Sequence, residues 1–205
     1  MNAFHKSGGS GRITRALVRR ADDETTMPDL SSASGAISSN APPTDDYNKK
    51  YQDLKAVPFE EKLVAKRSHI HGWGLFAKVS FPKHSMIIEY MGETIRQCIS
   101  DKREREYEEN GIGSCYMFRL DFERIVDATT IGCMARFMNH SCCPNCYAKV
   151  IQVTDDLGVS DNKIIIFASK EISAGDEITY DYKFPVEDGS LRCTCGAPNC
   201  IGRMN

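Results

Sequence analysis

Two short stretches decide how this chain is read: Arg136-Phe137-Met138-Asn139-His140-Ser141-Cys142, and Gly175-Asp176-Glu177-Ile178-Thr179-Tyr180-Asp181-Tyr182. Each sets groups able to hydrogen-bond or react beside large apolar ones, and both lie among the cysteine clusters. Working outward, the flanking sequence is rich in Ile, Val, Phe and Tyr in runs cut by turn residues, a strand-forming composition. The pattern predicts strands at 63–65, 75–79, 86–90, 117–120, 125–127, 148–153 and 164–169, with the last two joined as a hairpin through the turn-rich 155–162. One helix is expected over 100–110, with Ser100 as its cap, Gly111 as its stop and a solvated, charged surface.

Cysteine placement carries the next step. None of the nine cysteines precedes Cys98, and seven fall in or beside two clusters: Cys133, Cys142, Cys143 and Cys146, then Cys193, Cys195 and Cys200. No apolar signal core opens the chain, so this clustering favours metal ligation over disulfides. Cys193, Cys195 and Cys200 offer three thiolates on a tight turn, and a structural zinc site needs four ligands. Cys142, Cys143 and Cys146 are the candidates for the fourth.

With 205 residues, 41% hydrophobic and 26% charged, the chain suits one globular domain with a polar extension. No stretch is apolar for long enough to span a bilayer. The net charge of −2 argues against a general or sequence-specific nucleic-acid binder. Residues 1–46 mix Ser, Gly, Asp, Thr and Pro and read as a disordered leader or linker, in which Arg12, Arg15, Arg19 and Arg20 form a short basic stretch.

The two opening stretches, together with Gly72-Trp73-Gly74-Leu75, resemble the motifs of SET-domain lysine methyltransferases from about Val57 to Asn205. Within that family the chain is most similar to the trithorax and COMPASS-type group, which methylates lysine 4 of histone H3. The residues carrying this are Arg67-Ser68-His69-Ile70-His71-Gly72-Trp73-Gly74-Leu75-Phe76, Ile88-Glu89-Tyr90-Met91-Gly92-Glu93, Val126-Asp127-Ala128-Thr129 and Tyr180-Asp181-Tyr182-Lys183-Phe184. The closing Gly202-Arg203-Met204-Asn205 looks like that group's C-terminus.

The resemblance implies a mainly β fold with short helices, small curved sheets around a knot-like core, and a C-terminal post-SET zinc segment. It divides the chain into the leader 1–46, an N-terminal flank 47–62, a SET domain 63–185 and a post-SET segment 186–205. It implies S-adenosylmethionine as cofactor, held by His71, Gly72, Trp73, Gly74, Tyr116, Asn139, His140 and Thr194. Tyr182 falls at the catalytic tyrosine, and Tyr90 and Tyr180 complete the lysine channel. The zinc ligands become Cys142, Cys193, Cys195 and Cys200.

Implied partners are the histone H3 tail and the WD-repeat and SPRY-domain subunits of COMPASS-type assemblies, in the nucleus on chromatin. Glycines at 72 and 74 would let the backbone approach the ligand closely. A SET module that only binds chromatin would be expected to lose Tyr182, Asn139 or His140, and none is lost. A further rival keeps the chemistry and changes the substrate to another histone lysine or a non-histone protein.

Overall fold

The computed structural model describes residues 47–184 and 191–204. The expectations for the leader, for its basic stretch, for residues 185–190 and for Asn205 lie outside these residues.

Helices α1 (Tyr47–Ala56) and α2 (Phe59–Lys62) lead into β1 (Leu63–Arg67) and β2 (Trp73–Ala77). Next come β3 (Met86–Glu89), β4 (Gly92–Arg96), helix α3 (Gln97–Glu109), β5 (Met117–Arg119) and β6 (Arg124–Gly132). A 3-10 turn at Met134–Phe137, β7 (Asn139–His140), β8 (Cys146–Thr154), β9 (Ser160–Ala168) and β10 (Glu177–Tyr180) complete the body. Three small sheets result, ordered β1-β2-β10-β7, β3-β9-β8 and β4-β6-β5. Among the described residues no helix is long and apolar enough to cross a membrane.

The hairpin β8–β9 forms as expected, but each strand is longer and the loop shorter than the composition suggested. Asp155 accounts for this, because its Oδ1 accepts from the N–H of Leu157 at 2.9 Å and of Val159 at 2.8 Å, closing the turn within five residues. The run Ile164-Ile165-Ile166-Phe167-Ala168 is buried throughout because β9 is the inner strand of its sheet and covered on both faces. Ile164 and Ile166 face the main core with Leu75, Ile87 and Ile178, while Ile165 and Phe167 pack against Tyr51 of α1.

The helix is corrected at its start. It begins at Gln97, and Ser100 does not cap it: the hydroxyl is buried inside the helix and donates to the carbonyl of Gln97 at 3.0 Å. Its charged surface is not wholly solvated either, since Arg103 reaches Glu93 and Asp127.

The sheet that builds the site has an unusual order. β10, last of the strands, lies inside it, pairing antiparallel with β2 (Ile178 opposite Leu75) and parallel with β7 (Tyr180 opposite His140). The second decisive stretch of sequence is thereby inserted between the first and the glycine-rich segment. β7 and β10 were not anticipated as strands, being too short to show a period of two.

Candidate functional site

A cleft of about 500 Å³ opens where these segments meet. His71, Gly72 and Trp73 line one side, and Asn139, His140 and Tyr182 line another. Tyr116 and Thr194 face the same space. Gly74 does not line it. A Cβ there would lie 2.4 Å from Glu177 Oε1, so this glycine exists to admit the Glu177 carboxylate. Gly72, in contrast, has open space above it and a φ of +46°, a left-handed conformation that favours glycine.

Glu177 had been given no role by sequence reasoning. Both carboxylate oxygens accept from Ser68 Oγ at 2.8 Å, and Oε1 also accepts from Asn139 Nδ2 at 2.8 Å. Asn139 Nδ2 further approaches the carbonyls of His71 at 3.2 Å and Trp73 at 3.0 Å. Asn139 and Glu177 thus pin the 68–73 loop to β7 and β10.

Arg67, Arg136 and Arg192 line the cleft, and no acidic side chain does so among the described residues. Arg136 stacks on Phe137 with its guanidinium carbon 4.9 Å from the ring centre and donates to the carbonyl of Ala128 at 3.0 Å. The described lining therefore offers aromatic faces and positive charge. That donor set fits an amphipathic ligand carrying both a flat ring and a carboxylate.

His140 shares in both environments. Its Nδ1 accepts from the Tyr182 N–H at 3.2 Å, which leaves the proton on Nε2, 3.6 Å from Cys142 Sγ. Burial holds its pKa below the usual imidazole value, against the pull of Asp181.

Behind Tyr182 runs a chain of rings: Tyr182 to Tyr180 at 5.0 Å, Tyr180 to Phe118 at 6.1 Å, and Phe118 to Tyr90 at 5.2 Å. Phe118 was legible only as a strand residue. Tyr182 donates its hydroxyl to the Met138 carbonyl at 2.8 Å, and Tyr90 to the Tyr116 carbonyl at 3.3 Å. Burial, the largest influence on each, raises all three phenols, those of Tyr90, Tyr180 and Tyr182, above their ordinary value, so they stay neutral.

The sulfur atoms of Cys142, Cys193, Cys195 and Cys200 lie within 4.8 Å of one another. Tetrahedral zinc with bonds of ~2.3 Å needs sulfur edges of ~3.8 Å. Cys142 Sγ lies 3.7 Å from Cys193 Sγ and 3.8 Å from Cys200 Sγ, so the four thiols could hold such an ion. Backbone N–H groups of Cys142, Cys195 and Gly202 point at three of the sulfurs at 3.4–3.5 Å, as suits thiolates. Burial pushes Cys193 up to about 12. Cys195 is drawn down to about 6 because hydrogen bonds from the Cys142 and Ala197 backbone and neighbouring thiols outweigh its burial. Cys146 is buried in β8 and Cys143 is exposed, and neither joins the group. The tail reaches the cleft directly, with Thr194 Oγ1 donating to the Ile70 carbonyl at 2.8 Å.

Comparison with known proteins gives this arrangement its context. The SET domain family matches residues 72–183. Histone-lysine N-methyltransferase SETD1B of Homo sapiens is 47% identical over 192 residues, which cover 94% of this chain and 9% of that protein. Histone-lysine N-methyltransferase set-2 of Caenorhabditis elegans is 46% identical over 161 residues, covering 78% of this chain and 10% of that protein. SETD1A of Homo sapiens is 49% identical over 146 residues, covering 71% of this chain and 8% of that protein. The chain thus spans about a tenth of the length of the curated relatives it matches. A family match over more than half the chain takes in the glycine loop, the Asn139-His140 strand and the Tyr180–Tyr182 segment that meet at the cleft: this chain belongs to the SET-domain family.

Proposed function

We propose that the chain is a protein-lysine N-methyltransferase that uses S-adenosylmethionine and acts on histone H3, with lysine 4 as its target, in the nucleus on chromatin. The observation that carries this reading is Tyr182, which lines the cleft and also touches the ring chain of Tyr180, Phe118 and Tyr90. A cofactor cleft and a lysine channel would meet there. The flat faces of Trp73, Phe137 and Tyr116 suit an adenine, and the arginines suit the carboxylate at the cofactor's other end.

When bound, S-adenosylmethionine supplies an electrophilic methyl group on a sulfonium. The attacking lysine amine must be neutral, against an ordinary pKa of ~10.4. Desolvation among buried aromatic rings beside a cation disfavours the ammonium, so the lysine would release its proton to solvent water as it enters the channel and no side chain needs to act as a base. This accords with Tyr90, Tyr180 and Tyr182, whose phenols stay protonated. Tyr182 orients the amine by its hydroxyl, while Tyr90 and Tyr180 enclose the lysine stem and exclude water. Alignment and desolvation carry the rate.

Cys142, Cys193, Cys195 and Cys200 would hold a structural zinc, keeping the tail against the cofactor loop. The similarity to SETD1 proteins further supports work within a COMPASS-type assembly with WD-repeat and SPRY-domain subunits.

Mass spectrometry of histone peptides treated with the chain, alone and with such subunits, tests the reading. Methyl transfer to lysine 4 of histone H3, faster with the subunits, is expected; transfer to none of the peptides under either condition would refute it. Asn139→Ala should lower S-adenosylmethionine affinity at least about tenfold, by ~1.4 kcal/mol or more. Unchanged affinity by calorimetry would remove Asn139 from the cofactor site.

A further inference from the structure

Val126-Asp127-Ala128-Thr129, whose Ala128 carbonyl anchors Arg136, also holds the most deeply buried carboxylate among the described residues, with Asp127 only 1% exposed. A buried carboxylate is weak evidence for stability and better evidence for fixing one arrangement of its partners. Those partners lie on two sides. From α3, Arg103 Nη1 donates to Oδ2 at 2.9 Å and the Tyr107 hydroxyl donates to the same oxygen at 2.8 Å. From its own strand, the Thr129 N–H donates to Oδ1 at 3.0 Å.

Thr129 carries the contact onward. Its Oγ1 accepts from the Tyr116 N–H at 2.9 Å, and the Tyr116 carbonyl accepts from the Ala128 N–H at 2.7 Å and from the Tyr90 hydroxyl at 3.3 Å. Tyr116 lines the cleft, and Tyr90 belongs to the ring chain.

At its start helix α3 is tied to the β5–β6 hairpin by Gln97, whose N–H donates to the Glu123 carbonyl at 3.2 Å and whose Oε1 accepts from Arg119; beyond that first turn little else holds it. Ser100 is its one fully buried residue, and Tyr107 supplies its apolar contact with the small cluster of Ile95, Met117 and Ile125. Arg103 is also clasped by Glu93 of β4, with Nη1 2.7 Å and Nη2 2.9 Å from its carboxylate. Beyond its first turn the seat of α3 is thus mainly ionic, and Asp127 is its buried end.

We infer that Asp127 is a positioning residue that ties helix α3 to Tyr116 and Tyr90, so that the seating of α3 sets the walls of the cleft and of the lysine channel. The effect on methyl transfer rests on the function proposed above; the mechanical tie does not.

The test uses the full chain and two variants that spare the buried carboxylate itself. Arg103→Gln loosens the α3 side, and Thr129→Val removes the Oγ1 acceptor without changing the side-chain shape. Amide hydrogen exchange should quicken about tenfold at Tyr116 in Arg103→Gln, although the substitution lies on another element, as expected if about 1.4 kcal/mol of local protection is lost. Lys102→Gln, which breaks only the exposed Lys102–Glu106 pair on the same helix, should leave it unchanged.

Methyl transfer to a histone H3 peptide should fall about tenfold in each of the two variants and no further in the double variant, because they cut one connection. Unchanged exchange at Tyr116 in Arg103→Gln, equal quickening throughout the body, or additive losses in the double variant would overturn the inference. A wild-type chain that transfers no methyl, yet couples Arg103 to Tyr116 in exchange, would refute the function and leave the tie standing.

Discussion

The body of the molecule and its C-terminal tail are held together by different forces. In the body, Leu75, Ile87, Ile164, Ile166, Ile172 and Ile178 are each at most 1% exposed and form one continuous core, so the fold is stabilised by removing apolar surface from water. In residues 191–204 the fully buried residue is Cys193, and the backbone closes on itself through a few bonds such as Cys193 N–H to Gly202 O at 3.0 Å. So little buried surface orders a segment weakly, and under the zinc proposal the four thiols would supply the missing constraint. On that proposal the same cleft is walled on one side by a surface backed by the apolar core and on the other by one whose order would depend on the metal.

Metal removal should break this contrast most sharply. Chelation, or Cys142→Ser with Cys195→Ser, removes a binding energy that in small zinc motifs reaches about 10–16 kcal/mol. Amide exchange should become fast across 191–204, where the N–H groups of Cys193 and Met204 close the tail on itself, while the protection of β8 and β9 persists. Slow exchange in the tail of zinc-free protein would show that another force orders it.

A smaller effect is expected from the opposite side of the comparison. Ile166→Ala opens a cavity in a fully buried position and should cost about 2–5 kcal/mol. Denaturant unfolding would register it as a lower midpoint for the whole body. The zinc content of the folded fraction should stay at wild-type level, and its loss together with the core would show that the two regions are not independent.

How legible each region was in the sequence follows from the same physics. The long hairpin announced itself because apolar residues packed on both faces of β9 leave a continuous run from Ile164 to Ala168. β7 and β10 were missed as strands: two and four residues cannot show a period, and their pairing depends on distant segments. Helix α1 was missed because only Tyr51 of its ten residues is buried, leaving no apolar stripe to read. The cysteine group was visible as three thiols, and resemblance supplied Cys142 as the fourth where spacing alone left Cys143 and Cys146 open. Glu177 and Asp127 went unassigned because a carboxylate that accepts from several partners looks, in sequence, like any other acid.

The smallest expected effect sharpens the body's own side of the cleft. Tyr180 is buried with its ring 5.0 Å from that of Tyr182, so under the proposed function its hydroxyl would be placed to hold an ordered water beside the substrate amine. Such a water would occupy space that a second or third methyl needs. Tyr180→Phe removes the hydroxyl and should shift the product from mono- towards di- and trimethyllysine, through a barrier change of about 1.4 kcal/mol, or tenfold in rate. Identical product distributions by mass spectrometry would assign the limit to another group.

The inward position of β10 has a consequence for the moment of synthesis. β1 and β2 can form their hairpin as soon as they leave the ribosome, but the partner that covers the free edge of β2 follows roughly one hundred residues later, on the order of 5–20 s at ordinary elongation rates. Over that interval β2 presents unpaired N–H and C=O groups and the side chains of Leu75 and Phe76, the combination that invites pairing with a neighbouring chain. The nascent polypeptide therefore passes through a window in which it needs shelter. Slowed translation between residues 77 and 177 should lengthen that window and lower the soluble yield, although every contact of the finished molecule is unchanged.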